Sequence, residues 1–344
     1  MSALAAMSLS QTAIAAVDDE NVDNPAGTTI TGTGYGVKLD AGGPYTISNA
    51  GEISAEKGSA AYGIHVLAPV TVTSINNTST GVIKADATTG STGIGIYLSN
   101  VSVGTLINAG LISASAAGSN DAYGIFLEAS SSVGTITNSG TITASVGLND
   151  DAYGIYLETS SSVDTITNSG TIITSGGDSD AFGIYLKTNS SVGTITNSGT
   201  ITSLATTAEA GEGDYAYGIF VQVSSTVDTI TNSGTITTSA SDDDAYGIDI
   251  GFNSSVGTIT NTGTITAIAS GDTGTDAFGI LIRDRSSVGT ITNSGTITAS
   301  AGWDDAVGIY IDDGIRGSTV NKITNSGTIT TSAGEDDAVG IYLD

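Results

Sequence analysis

Clusters of aspartate recur along this 344-residue chain, and most lie directly before an Ala-Tyr-Gly-Ile-like hexapeptide. Carboxylate oxygens are the hard ligands that Ca²⁺ prefers, and paired carboxylates also carry out glycoside cleavage. The candidate Ca²⁺ ligands are Asp150, Asp151, Asp178, Asp180, Asp243, Asp244, Asp304, Asp305, Asp336 and Asp337. Neither the EF-hand spacing nor the GGxGxD nonapeptide is present. Because the clusters are repeated, we interpret them as solvated charge, with weak Ca²⁺ binding and catalysis as the alternatives.

A column of aromatic residues is the second candidate surface. It stands two residues after the glycine of the hexapeptides and contains Tyr97, Phe126, Tyr156, Tyr185, Phe220, Tyr310 and Tyr342. Other copies carry Lys38, His65 or Asp249 at this position, so we expect it to face water. Exposed flat rings are suited to stacking on sugar rings. The alternative is a cross-strand aromatic ladder that only stabilises the sheet.

The chain contains few of the residue types that common hydrolytic and metal sites require. The chain has one histidine, His65, and no cysteine, so a zinc site built from these residues is excluded. A Ser-His-Asp triad would depend on His65, and no GxSxG motif accompanies it. The net charge of −27, with only 8 basic residues, excludes a nucleic-acid-binding surface. We therefore assign no catalytic residue and no cofactor, and we expect a protein that is not an enzyme.

Threonines form a third regular array. Thr135, Thr137, Thr141 and Thr143 have counterparts in most repeats, which predicts a lattice of hydroxyl and methyl groups. Such a lattice would order water as ice-binding solenoids do. Threonine is also a good strand former, which explains the pattern without a function.

A repeat with a fixed period positions all these residues. Its core, TITNSGTI, places asparagine at Asn138, Asn168, Asn197, Asn232, Asn261, Asn293 and Asn325. Spacings of 29 to 35 residues between them indicate a stacked-repeat protein. An asparagine in every copy predicts a structural ladder of stacked side-chain amides.

Each repeat supplies three short strands, typified by GTITN, GTITAS and AYGIYLE, in which aliphatic residues alternate with other types. Three strands per repeat predict an all-β fold, a single-stranded right-handed parallel β-helix (β-solenoid) of about ten to eleven coils. We assign residues 1–16 to a signal-peptide remnant, because Ala13-Ile14-Ala15 has the form of a cleavage site. Residues 17–30 are predicted as a polar lead-in or N-terminal cap, and residues 31–344 as the β-helix.

The TITNSGTI cores, on an acidic, cysteine-free chain rich in Gly, Ser and Thr, resemble the passenger β-helix of bacterial autotransporters (type V secretion), including adhesin-like members. The resemblance covers residues 31–344. It implies display on the surface of a Gram-negative bacterium through a C-terminal β-barrel in the outer membrane, and we expect that anchor to lie beyond Asp344. It also implies a non-catalytic structural or adhesive role, with a glycan or protein of a host or neighbouring cell as the partner.

Two other functions stay open. One is a calcium- or ice-binding β-solenoid. The other is a polysaccharide-acting β-helix enzyme, for which the break in the pattern at Asp249 and Arg283-Asp284-Arg285 is the hint.

Overall fold

A computed structural model describes the strand Thr12–Ala13 and residues 21–56, 60–88, 91–118, 120–147, 150–206, 214–271, 274–312 and 317–344. Within these ranges every regular element is a β-strand, which confirms the all-β prediction. The predicted signal-peptide remnant lies outside the described residues except for Thr12–Ala13, which pairs with Thr29–Thr33. Of the predicted polar lead-in, residues 17–30, the first four residues lie outside the described ranges. The rest contains the strand Val22–Asn24 and the start of Thr29–Thr33, and both pair with the following coil.

The strands form three long parallel sheets, named here sheets 1, 2 and 3 in the order in which each coil visits them. Sheet 1 consists of Val22–Asn24, Tyr45–Asn49, Thr71–Asn77, Ser102–Asn108, Ser132–Asn138, Ser162–Asn168, Ser191–Asn197, Thr226–Asn232, Ser255–Asn261, Ser287–Asn293 and Thr319–Asn325. Sheet 2 consists of Thr12–Ala13, Thr29–Thr33, Glu52–Glu56, Val82–Ala87, Leu111–Ala116, Thr141–Val146, Thr171–Gly176, Thr200–Ala205, Thr235–Ala240, Thr264–Ala269, Thr296–Ala301 and Thr328–Ser332. Sheet 3 consists of Tyr35–Leu39, Ala60–Leu67, Thr92–Ser99, Ala122–Glu128, Ala152–Leu157, Ala181–Leu186, Ala216–Val221, Ala245–Ile250, Ala277–Ile282, Ala306–Ile311 and Ala338–Leu343.

One strand from each sheet makes a coil, and the coils stack into a right-handed parallel β-solenoid. Sheets 1 and 3 each contain 11 strands, so the described residues form eleven coils. Equivalent residues pair in register: Asn138 pairs with Asn168, and Ile142 pairs with Ile172. The predicted fold class is therefore confirmed.

The core is made of aliphatic columns that run the length of the solenoid. In one representative coil Ile136, Ile142, Ile155 and Leu157 are fully buried, and equivalent residues of the next coil pack directly on them. Burial of each such side chain stabilises the fold by roughly 1.5–3 kcal/mol before entropy is counted. Regular columns of this kind also explain the repeat, because each coil must present the same apolar residues to both of its neighbours.

A glycine interrupts the alternation of each strand in sheet 3. Tyr123 pairs with Tyr153 and Ile125 pairs with Ile155, while Gly124 between them is skipped in the register. A Cβ atom on Gly124 would lie 2.4 Å from Cγ2 of Ile142, so the position has no room for a side chain. Because of this extra residue, the ring before the glycine and the ring two residues after it both lie outside the main core, on the outer face of sheet 3.

Candidate functional site

The predicted asparagines form one hydrogen-bonded ladder inside the solenoid. The side-chain N–H of each donates to Oδ1 of the next at 2.7–2.8 Å, and the ladder starts at Asn24, earlier than the sequence pattern suggested. Each inner amide also donates to a main-chain oxygen, as Asn138 does to Thr171 at 3.0 Å. The amides are therefore fully used in joining coil to coil.

The aromatic residues of the predicted sugar platform are placed differently from the expectation. Phe126, Tyr156, Tyr185 and Phe220 are only 3–7% exposed, so the prediction that this position faces water is wrong for them. Tyr97 and Tyr310 are half-buried, and Tyr342 is exposed. The cause is a second column of rings, one residue before the glycine, which sequence reasoning missed although Ala-Tyr-Gly and Ala-Phe-Gly recur in the chain. This column contains Tyr123, Tyr153, Phe182, Tyr217, Tyr246 and Phe278.

The two columns bury each other by stacking. Within one coil the ring centroids of Tyr153 and Tyr156 are 4.7 Å apart, and between coils Tyr153 and Phe182 are 4.9 Å apart with only 5° between their planes. Such stacks contribute about 0.5–1.5 kcal/mol per pair beyond the area buried. Since the ring faces cover one another, a sugar approaching this sheet would meet ring edges.

The last aspartate of each acidic loop is also part of a ladder. Oδ1 of Asp151 accepts the main-chain N–H of Asp180 at 3.2 Å, and Oδ2 accepts the hydroxyl of Tyr153 at 2.7 Å. Similar bonds to the next coil are made by Asp121, Asp180, Asp244, Asp276 and Asp305. The interpretation as freely solvated charge is wrong for these six aspartates, because their oxygens accept hydrogen bonds from protein groups, whereas Asp337 of the last coil is exposed.

The remaining aspartates of the loops do not assemble a metal site in the part of the chain that the structure describes. Asp150, Asp178, Asp243 and Asp304 are half-buried, Asp336 is exposed, and no group of three His, Cys, Asp or Glu residues in the described ranges is placed to hold a metal ion. Ca²⁺ binding by the ten candidate ligands stays a prediction.

Asp180 and Asp276 of the ladder lack the tyrosine hydroxyl because phenylalanine stands two residues later, and Asp305 lacks it because Val307 stands there. Burial raises the pKa of Asp180, before Phe182, to about 8, and raises the pKa of Asp276, before Phe278, to about 7. Burial also raises the pKa of Asp151, but the hydroxyl of Tyr153 acts in the opposite direction. The missing hydroxyl therefore distinguishes the coils of Asp180 and Asp276 from the coil of Asp151.

We expect the Phe182→Tyr variant to lose less stability than the wild type as pH rises. The folded-state pKa of Asp180 lies above its ordinary value of 3.8, so its ionisation opposes folding, and stability is lost as pH rises from about 4 to about 8. A donated hydroxyl would lower that pKa, and each unit recovers about 1.4 kcal/mol at pH 8. Urea unfolding at pH 4.5 and 8.5 measures the change. Phe126→Tyr, which adds the same hydroxyl away from the ladder, is the control, and an equal pH dependence in all three proteins would contradict the expectation.

A buried ion pair interrupts the aromatic columns. Asp249 is fully buried, so the prediction that it faces water is wrong. Arg283 of the next coil reaches it, with its Nη2 atom 2.7 Å from Oδ2 and its Nε atom 3.2 Å from the same oxygen. Arg283 passes beside Gly251, where a Cβ would lie 3.5 Å from Cγ of Arg283, an ordinary contact distance.

Aromatic rings complete the surroundings of Arg283. Its guanidinium carbon lies 5.4 Å from the ring centre of Tyr246 and 5.5 Å from that of Phe252, within the range of cation–π attraction. Burial raises the pKa of Asp249 while Arg283 opposes that shift, and Asp249 in turn raises the pKa of Arg283. The guanidinium therefore stays charged, and its contact with Asp249 opposes the effect of burial on that carboxyl.

The threonine lattice exists on the outer faces of sheets 1 and 2. Thr135 pairs with Thr165 and Thr141 with Thr171, and these side chains are half-buried. Water ordering by this lattice stays a prediction.

His65 stacks on Tyr62, with 4.1 Å between the ring centroids. Burial lowers the pKa of the imidazole to about 4, so the ring is neutral at pH 7.

Comparison with known proteins gives no assignment. No family model matches the chain. No curated protein is significantly similar to it. No solved structure is significantly similar either. Among the described residues, no helix is long and apolar enough to span a bilayer. The functional proposal therefore rests on the geometry.

Proposed function

We propose that this chain is the β-helical passenger of an autotransporter-like protein, displayed on the surface of a Gram-negative bacterium, and that it serves structural display or adhesion without catalysis. The observation that supports this most is the use of polar groups within the coils. The amides predicted as a structural ladder and several of the candidate carboxylates are hydrogen-bonded from coil to coil, as in the ladders of Asn138 and Asp151. A rod built in this way carries a surface away from the cell.

The charge of the chain is consistent with this role. A net charge of −27 keeps a long β protein soluble and apart from its copies. The proposed partner is a glycan or protein of a host or neighbouring cell, met along the side of the rod.

Surface display is tested on cells that produce the full gene product from its own reading frame. We expect an antibody against the solenoid to label intact cells, and added protease to remove that label. Cells lacking the gene are expected to attach less to host or neighbouring cells. A periplasmic marker protein that resists the protease controls for leakage. Labelling that appears only after the cells are lysed would overturn the proposed location.

A further inference from the structure

One corner of the solenoid has the same backbone geometry in six successive coils but carries unusual residues in three of them. The corner between sheets 3 and 1 holds pairs of residues with positive φ, which include Val223-Ser224, Phe252-Asn253 and Asp284-Arg285. Main-chain bonds join these pairs: the N–H of Ser224 donates to O of Phe252, and the N–H of Asn253 donates to O of Asp284, both at 2.9 Å. We call Val223, Phe252, Asn253, Asp284 and Arg285 the corner patch.

The fold does not require the apolar residues of the corner patch. Other coils place Ala129, Thr159 or Thr188 at the position of Phe252. Phe252 is 42% exposed with φ of 57°, and Val223 is 37% exposed with φ of 55°. Left-handed backbone is unfavourable for bulky and β-branched residues, and exposed side chains recover little by burial. The same left-handed geometry occurs at Ala129, Thr159 and Thr188, so the exposed aromatic ring is what distinguishes the corner patch.

The buried ion pair beneath the patch is not explained by stability either. In the same column Phe220 and Leu281 flank Asp249, so an apolar residue fits there. Replacing a buried ion pair by apolar residues is often neutral or stabilising. The guanidinium of Arg283 lies over the Phe252 ring, so the ion pair helps to hold that ring in position.

The polar groups of the patch balance in charge. Asp284 offers carboxylate acceptors, exposed Arg285 offers a fork of donors, and exposed Asn253 offers both. The ion pair of Asp249 and Arg283 adds no net charge. A chain of net charge −27 repels polyanions, whereas a neutral ligand bearing hydroxyls meets no such penalty.

We propose that the corner patch binds a neutral polysaccharide, with a sugar ring on Phe252 and its hydroxyls bonded to Asp284, Arg285 and Asn253. This rests on the proposed adhesive function and names the class of ligand. A peptide would need a free strand edge or a groove. The coils of the patch are paired on both sides, and a corner is an open surface along which a linear polymer lies.

The test measures binding of the purified full chain to immobilised cellulose, mannan and galactan, with polygalacturonate and heparin as anionic polymers. We expect binding to at least one neutral polymer and none to the anionic ones. Phe252→Ala and Arg285→Gln should each weaken that binding about tenfold, the equivalent of 1.4 kcal/mol. Trp303→Ala removes an aromatic residue that is 39% exposed elsewhere, and Lys84→Gln removes a positive charge on sheet 2, several coils away from the corner patch. Both controls should bind as the wild type does.

Several outcomes would overturn the proposal. They are binding to the anionic polymers alone, binding to no polymer, and binding that Phe252→Ala and Arg285→Gln leave unchanged. Thermal unfolding of each variant establishes that the coil is intact, and Phe252→Tyr should retain binding because it keeps a flat ring. Surface labelling of cells is scored separately, so a failure here leaves the proposed display function standing.

Discussion

Arg283→Met is expected to lower the free energy of unfolding by about 3–5 kcal/mol, the cost of leaving one charge of a buried pair alone. The carboxylate of Asp249 is fully buried and accepts its hydrogen bonds from Arg283. Urea unfolding at pH 7 measures the loss. The loss should shrink in acid, because an unpaired buried Asp249 has a raised pKa and takes up a proton in the folded state.

The double variant Asp249→Leu/Arg283→Met tests whether two apolar residues can replace the ion pair without loss of stability. Leucine already stands at position 281 in the same column, so we expect the double variant to be as stable as the wild type or more stable by about 1–4 kcal/mol. Arg285→Met, which changes an exposed arginine two residues away, is the matched control and should have little effect. A double variant as unstable as Arg283→Met would show that the pair itself stabilises the coil.

Asn197→Asp is expected to be the second most damaging change. Asn197 accepts from Asn168 at 2.8 Å and donates to Asn232 at 2.8 Å and to the main-chain oxygen of Thr235 at 3.0 Å. A carboxylate cannot donate, so it would face two acceptors inside the protein. We expect a loss of about 3–5 kcal/mol at pH 8, as for other uncompensated buried charges. Urea unfolding at pH 4 and pH 8 should show part of the loss recovered in acid, where the carboxyl regains a proton to donate.

Two further variants calibrate the result. Asn197→Ala removes the donor without adding charge and leaves Oδ1 of Asn232 without its partner, which costs about 1–3 kcal/mol at either pH. Thr196→Ala, on the half-buried outer face of the same strand, should have little effect. If Asn197→Asp and Asn197→Ala were equally stable at both pH values, the amide column would not be the closed hydrogen-bonded ladder described above.

The sequence was sufficient to predict the features that depend only on the period and on the alternation within each strand. Ile136 and Ile142 are identical or conservative in every copy, so period and alternation were enough to place them in the core of a β-solenoid. Asn138 followed from the same regularity. These features depend only on contacts between equivalent residues of neighbouring coils.

The aromatic columns and the ion pair needed three-dimensional information. Alternation alone puts Tyr156 in water, but Gly124 and its equivalents bring a second ring onto the same face, and the rings bury each other. The contact between Asp249 and Arg283 spans 34 residues, so no local pattern indicates it. Aligning the coils places Arg283 in the column of Gly251, one coil after Asp249, and this is the signal in the sequence that could have suggested the contact.

The parallel register has a mechanical consequence. Every main-chain hydrogen bond between coils, the amide ladder and the stacked rings all point along the rod axis. A pull on one end therefore loads these contacts one coil at a time, so that coils peel off in sequence at modest force. A sideways pull on a molecule held along the flank shears many coils at once and meets their combined resistance. We therefore expect the rod to resist a force on a molecule bound along its side far better than a force applied to one of its ends.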